Sequence, residues 1–241
     1  MRTFGLIGRN ISYSFSRKYF SEKFETENID AVYRNFDLGE ISEFPSILKI
    51  RNISGMNVTI PYKQDVMSYL DDLHSDAREI DAVNVIKIEG DQLIGYNTDH
   101  LGFQDSIKIL LKPHHKKALI LGTGGASKAV AFALKNLQID YSFVSRNPGK
   151  GQLSYKELNQ EVLAENQVII NTTPLGTFPN IEQCPDIPYE FLTPQHLAYD
   201  LIYNPAETKF LQKASKQGSD ICNGLRMLQI QAEKAWEIWN S

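Results

Sequence analysis

Apolar residues fall in short runs along this chain, each stopped by glycine, asparagine or proline. Between these runs lie longer stretches whose apolar positions recur at helical spacing. This alternation predicts an α/β protein with parallel sheets. Strands are expected near Thr3 to Gly8, Ala31 to Leu38, Ile53 to Val58, Ala82 to Glu89 and Gln92 to Asn97. Helices near Lys18 to Glu27, Ile41 to Lys49, Tyr62 to Leu70 and Leu101 to Leu111 join them. The last two strands are separated only by Gly90-Asp91, which reads as an antiparallel hairpin. Further strands are expected at Lys117 to Leu121, Asp140 to Val144, Val168 to Asn171, His196 to Asp200 and Ser219 to Asn223. A further helix falls at Ala126 to Leu137. Pro179, Pro185, Pro188 and Pro194 make the stretch between Gly176 and Pro194 an irregular loop.

The turn Gly122-Thr123-Gly124-Gly125 lies between a buried strand and a helix. Gly122 ends the strand, and Gly124, Gly125 and Ala126 allow the backbone to come close to a ligand. This order points free N–H groups and the positive end of a helix dipole at a phosphate. Alone such a turn is weak evidence, and its match to G-x-G-x-x-G is imperfect, because Ser127 or Ala129 must supply the third small position. The next strand adds to it. An NAD site carries an acid about 20 residues beyond the glycines for the ribose 2′-hydroxyl, whereas an arginine there accommodates a 2′-phosphate. Here the strand ends in Ser145-Arg146-Asn147, Lys150 follows, and no acid stands between Ser142 and Lys150. The expected cofactor is NADP.

With 241 residues the chain can hold one or two domains and a sizeable core. Its 42% hydrophobic and 22% charged residues are ordinary for a globular protein. A net charge of −4 without a basic cluster argues against nucleic acid. No apolar run is long enough to span a bilayer, and Met1 to Gly8 reads as a first strand rather than a signal peptide. Cys184 and Cys222 show no metal-ligand or disulfide spacing, which makes a reducing cytoplasm the default. Four of the five histidines, at 74, 114, 115 and 196, form no metal pattern and read as surface or loop residues, so no metal is expected. Trp236, Trp239 and Ile230 are spaced for core packing, and Cys222 for a buried thiol.

Two further stretches carry chemistry. Asn57 to Lys63 puts one lysine beside a proline turn, and Gly95 to Gly102 puts one carboxylate, Asp99, after Asn-Thr. Each alone is unremarkable: a solvated lysine, and a helix-capping aspartate. Together with a nucleotide turn they suggest proton-coupled hydride transfer.

Taken together, the boxes resemble the shikimate dehydrogenase family over nearly the whole chain. The N-V-T-x-P-x-K box is Asn57 to Lys63, A-V-N is Ala82 to Asn84, and G-x-N-T-D-x-x-G is Gly95 to Gly102. G-x-G-G-x-x-x-A is Gly122 to Ala129, and N-x-T-P-x-G is Asn171 to Gly176. D-x-x-Y-N-P-x-x-T-x-F-L is Asp200 to Leu211, and G-x-x-M-L-x-x-Q is Gly224 to Gln231. The resemblance implies a substrate-binding catalytic domain from residues 1–100 with 224–241 returning to it as a C-terminal helix, Leu225 to Trp239, and a Rossmann-like NADP-binding domain from 101–223. It implies Lys63 and Asp99 as the catalytic pair, and Ser14 and Ser16 holding a substrate carboxylate. Thr59, Asn84, Tyr203 and Gln231 are implied as further substrate contacts. The glycine turn with Ser145, Arg146, Asn147 and Lys150 would hold NADP, with Leu201 and Gly224 near the nicotinamide. The implied reaction is reversible reduction of 3-dehydroshikimate to shikimate, on the route to chorismate and aromatic amino acids. The chain departs from the family pattern at Asn10, Tyr13 and Arg17, where proline, histidine and proline are usual, at Asp81 in place of glycine, and at Val85 in place of threonine. An NAD-preferring quinate/shikimate dehydrogenase and a non-catalytic nucleotide-binding regulator on the same fold are the alternatives, and the chain could be a monomer or a homodimer.

Overall fold

The computed structural model describes residues 1–12 and 14–241; the departure at Tyr13 lies outside them. Backbone packing divides the chain into two units, Met1–Asp99 with Gln231–Ser241, and His100–Ile230.

The first unit contains β1 (Arg2–Gly8), α1 (Phe15–Thr26), β2 (Ala31–Asp37), α2 (Phe44–Ile47), β3 (Ile53–Val58), β4 (Asp72–Leu73), α3 (Ser75–Ile80), β5 (Val85–Glu89) and β6 (Gln92–Tyr96). Its sheet runs β2-β1-β3-β5-β6-β4. β1 pairs parallel with β2 and β3, but β5 is antiparallel to both β3 and β6. The sheet is therefore mixed rather than parallel throughout, since the two-residue link at Gly90-Asp91 permits only an antiparallel pair. One face buries Phe4, Leu6, Phe20, Phe24, Tyr33 and Trp239, and the other Ile7, Met56, Val58, Val83 and Ile86. Trp239 donates its indole N–H to the Ile86 carbonyl at 3.0 Å and lies 4.8 Å, centroid to centroid, from Phe4.

Two local expectations change here, and two short elements are new. The stretch after Tyr62 forms a 3₁₀ helix at Asp65–Tyr69 instead of an α-helix, because the Asp71 N–H bonds to the Leu93 carbonyl at 2.9 Å and draws the chain into the sheet. The short β4 and α3 carry too few periodic positions to be read beforehand. The strand expected from Ala82 begins at Val85, because α3 ends on Asp81 with left-handed backbone (φ 57°) and Ala82 still bonds back to Ala77. Aspartate tolerates that conformation better than most residues, and a glycine, usual in the family at this place, adopts it freely.

The second unit follows α4 (Asp99–Lys108), whose first residue belongs to the first unit. It holds β7 (Lys117–Leu121), α5 (Gly125–Asn136), β8 (Asp140–Ser145), β9 (Leu153–Ser154), α6 (Gln160–Glu165), β10 (Val168–Asn171), β11 (Leu197–Asp200), α7 (Lys209–Lys216), β12 (Asp220–Cys222) and the first turns of α8 (Leu225–Trp239). Every pairing is parallel, in the order β12-β11-β10-β7-β8-β9. This is the doubly wound order, with its switch point between β7 and β10. Ala118 and Ile120 enter one core while Leu119 and Leu121 enter the other, which is why β7 reads as one uninterrupted apolar run.

His115 and His196 lie in loops, as expected, but are buried rather than on the surface. The ring of His196 accepts the Thr193 N–H at 3.0 Å and bonds the Leu163 carbonyl at 2.9 Å; the ring of His115 accepts the Lys112 N–H at 3.0 Å. Both tie down loops that lead into strands. Trp239 is buried as expected, whereas Cys222 is half-buried, its thiol pKa raised by desolvation.

Candidate active site

In the first unit two chemistry-bearing side chains meet. The box after β3 folds into a turn in which the Tyr62 N–H bonds the Thr59 carbonyl at 3.0 Å, while buried Tyr62 anchors the turn by donating to the Leu38 carbonyl at 2.8 Å. The carbonyl of Lys63 then accepts the Val83 N–H at 2.7 Å, which holds it beside the segment carrying Asn84. Its ammonium pairs with Asp99 Oδ2. Asp99 is the first residue of α4 rather than its cap, and its own N–H bonds Asn97 Oδ1 at 3.1 Å.

Asn84 governs the geometry of that carboxylate. Its Nδ2 donates to Asp99 Oδ1 at 2.9 Å and to Thr98 Oγ1 at 3.0 Å, with Gln231 Oε1 farther away at 3.4 Å. Two protons serve the two nearer acceptors, so the Gln231 contact is the weakest. Asn84 Oδ1 accepts the Thr98 N–H at 2.7 Å, and the Thr98 hydroxyl reaches the Gln231 carbonyl at 3.1 Å. Asp99 thus has one oxygen on Asn84 and the other on Lys63. Lys63 has three ammonium protons, of which Asp99 engages one face. A lysine ammonium is held against a fixed carboxylate in a nearly water-free position, with side chains 15% and 9% exposed.

The predicted carboxylate residues have partners of their own. Ser14 caps α1, its oxygen accepting the Arg17 N–H at 3.3 Å. Ser16 lies near the buried Tyr33 phenol, whose pKa desolvation pushes well above the ordinary value and which donates to Asn57 Oδ1 at 2.6 Å. Asn57 Nδ2 in turn donates to the Asn84 carbonyl at 3.3 Å. Hydrogen bonds therefore run from Tyr33 to the Lys63–Asp99 pair through Asn57 and Asn84. Tyr33 was not singled out in the sequence, and nothing around it marks it. Asn10, at one of the departures, has φ 58° and donates its N–H to Asp37 Oδ1 at 2.8 Å. A proline offers neither that φ nor that donor, so this loop follows a path the usual residue would forbid.

In the second unit Gly122 has φ 110°, and a Cβ there would lie 2.8 Å from Thr172 Oγ1. Gly124 caps α5 with nothing within 4 Å of where its side chain would be, which leaves the helix amino terminus open beside the switch point. Beyond β8, the Asn147 N–H bonds Ser145 Oγ at 3.2 Å, and Arg146, Asn147 and Lys150 are exposed. Among the described residues neither Arg146 nor Lys150 has a carboxylate partner, though Arg146 lies near Tyr155, whose phenol pKa is raised by burial and only partly opposed by that charge. An open cradle with two unpaired cations fits a dinucleotide bearing a 2′-phosphate. Leu201, Tyr203 and Gly224 also belong to this unit, with Gly224 packed so tightly on the Leu201 carbonyl that a side chain would collide with it. Tyr203 is half-buried, which raises its phenol pKa. Ser14, Ser16, Thr59, Asn84 and Gln231 belong to the first unit. No group of metal-ligating residues occurs among the described residues.

Comparison with known proteins gives a consistent result. The family profile for the shikimate dehydrogenase substrate binding domain matches residues 6–86. The NADP(+) shikimate dehydrogenase of Clostridium botulinum is 38% identical over 250 residues, covering 99% of this chain and 96% of its own. A shikimate dehydrogenase from Thermus thermophilus, solved with NADP(H) and shikimate, aligns with a TM-score of 0.88 at 29% identity, covering 99% of this chain and 93% of that one. One from Listeria monocytogenes, solved with shikimate and NAD, aligns with a TM-score of 0.85 at 28% identity, covering 100% and 92%.

Proposed function

The chain belongs to the shikimate dehydrogenase family, and from that premise we propose that it interconverts shikimate and 3-dehydroshikimate with NADP. The observation that carries this reading is the Lys63–Asp99 pair, its carboxylate held by Asn84 and its surroundings by Gln231. Oxidation of a secondary alcohol must remove one proton from oxygen and one hydride from carbon. Bound NADP supplies the hydride acceptor, and in the reverse direction NADPH is the donor. Lys63 takes the hydroxyl proton, or returns it to the ketone oxygen. Asp99 orients Lys63 and the substrate hydroxyl together, and Asn84 stops the carboxylate from rotating away. Ser14, Ser16 and Thr59 hold the substrate carboxylate side, and Asn84, Gln231 and Tyr203 its hydroxyls. Gly122, Gly124, Gly125 and Ala126 hold the pyrophosphate, Ser145, Arg146, Asn147 and Lys150 the 2′-phosphate, and Leu201 and Gly224 flank the nicotinamide.

NAD in the Listeria relative supports a second reading with that cofactor; the unpaired Arg146 and Lys150 favour NADP. A reducing cytoplasm suits the two free thiols, and no helix among the described residues is long and apolar enough to cross a membrane. The test of mechanism is Lys63→Ala. Its kcat should fall by about 10² to 10⁴ with little change in KM, because acid–base help acts mainly in the transition state. Asp99→Asn should also lower kcat, and the double variant should lose less than the product of the two. Near-normal kcat for Lys63→Ala would move the proton transfer to another group.

A further inference from the structure

The hydride-transfer reading gives no task to a carboxyl group at the end of β11. Asp200 is fully buried, yet three donors converge on it. Asn171 Nδ2 and the Ile202 N–H both reach Oδ1 at 3.0 Å, and the Thr208 hydroxyl reaches Oδ2 at 2.6 Å. The donors come from three segments: the end of β10, the loop after β11 and the start of α7. Each carries the fastening onward. Asn171 Oδ1 accepts the Thr173 N–H at 3.0 Å and its hydroxyl at 2.7 Å, and the Asn171 carbonyl takes the Leu201 N–H at 3.0 Å. The Ile202 carbonyl takes the Gly224 N–H at 3.0 Å, while Thr208 caps α7. One side chain therefore binds together the Asn171–Gly176 loop, the Leu201–Tyr203 segment and the entry to α8. Burying a carboxyl is unfavourable unless its bonds compensate, so a stable fold alone is better served by an apolar residue at such a place.

We propose that Asp200 is a positioning residue for the reaction: through Asn171, Ile202 and Thr208 it fixes the segment bearing Leu201 and Tyr203, the residues assigned above to the nicotinamide and the substrate. This rests on the functional reading given above. Geometry rather than charge carries the effect, so the amide should replace the acid. In Asp200→Asn, Oδ1 still accepts from Asn171 and Ile202, and the amide can donate to a Thr208 hydroxyl turned around. Asp200→Ala removes all three bonds, and Thr208→Val removes one.

The experiment is steady-state kinetics with shikimate and NADP on the full chain, together with NADP titration, well below each variant's unfolding midpoint. Asp200→Ala should lower kcat by about 10- to 100-fold, as small misplacements of reacting groups do. Its NADP dissociation constant should stay within about threefold, because Arg146 grips the other end of the cofactor from β8. Asp200→Asn should stay within about twofold of the unaltered kcat, with Thr208→Val between the two. Unchanged kcat in Asp200→Ala overturns the proposal, as does an Asn variant as impaired as the Ala one, or a parallel loss of kcat and NADP affinity. If Asp200→Ala does not fold, Thr208→Val decides: a lowered kcat with NADP affinity kept supports positioning, and unchanged kcat overturns it. An unaltered chain that does not oxidise shikimate overturns the functional reading and the proposal together, whereas an active chain with an unimpaired Asp200→Ala overturns the positioning role alone.

Discussion

At the scale of single residues, the cofactor choice turns on Arg146. A guanidinium with no carboxylate partner among the described residues is free for a 2′-phosphate, a contact that NAD cannot make. Arg146→Ala should weaken NADP binding by about 1.5 to 3 kcal/mol and leave NAD nearly unchanged; titration of both cofactors checks it, and equal losses would contradict the assignment. The two serines need different handling. Ser14 caps α1, so its replacement by alanine removes about 1 kcal/mol of helix stability along with any substrate contact. Ser16→Ala is the cleaner probe: KM for shikimate should rise strongly while kcat and NADP affinity hold, and an unchanged KM would place the carboxylate elsewhere. Lys63, Asp99, Asn84 and Gln231 were legible because each stands inside a short, ordered box. Tyr33 was not, because its partner Asn57 lies on another strand and meets it only once β1 has taken β2 and β3 as neighbours.

At the scale of elements, the parallel strands of the second unit were the most readable. β7 and β10 coincide with the stretches read from apolar pattern alone, since strands buried on both faces leave unbroken apolar runs, and α8 has the bounds that the family resemblance implied. The elements missed were short: β4, β9, α3 and α6 owe their existence to caps and neighbours more than to periodicity, whereas α7 does bury Phe210, Leu211 and Ala214 at helical spacing. α7 starts from Thr208, itself held by Asp200. That buried carboxyl also makes a stability prediction. Desolvation pushes its pKa from 3.8 to about 6, in spite of the three hydrogen bonds that oppose the rise. A raised pKa in the folded state means that Asp200 contributes stability fully present below pH 3.8 and lost as pH rises through about 6. Asp200→Asn stays neutral across this window, so its stability relative to the unaltered chain should grow between pH 4 and 6 and level off above, by about 1 to 3 kcal/mol. Denaturant unfolding at pH 4.5 and pH 8 measures the difference, and an equal difference at both would contradict the burial argument.

At the scale of the whole molecule, two α/β units carry the two halves of the proposed chemistry: one holds the proton carrier and its carboxylate, the other an open, cation-flanked helix terminus at a sheet switch point. The α/β class followed from alternating patterns, whereas the antiparallel β5 in the first sheet was foreshadowed only by its hairpin with β6. The proposed reaction is read out by the initial rate of shikimate oxidation by the purified chain, followed through absorbance of the reduced nicotinamide with NADP and NAD side by side. Shikimate-dependent reduction of NADP is expected at a catalytic efficiency well above that with NAD. No shikimate-dependent reduction of either cofactor would contradict the proposed function.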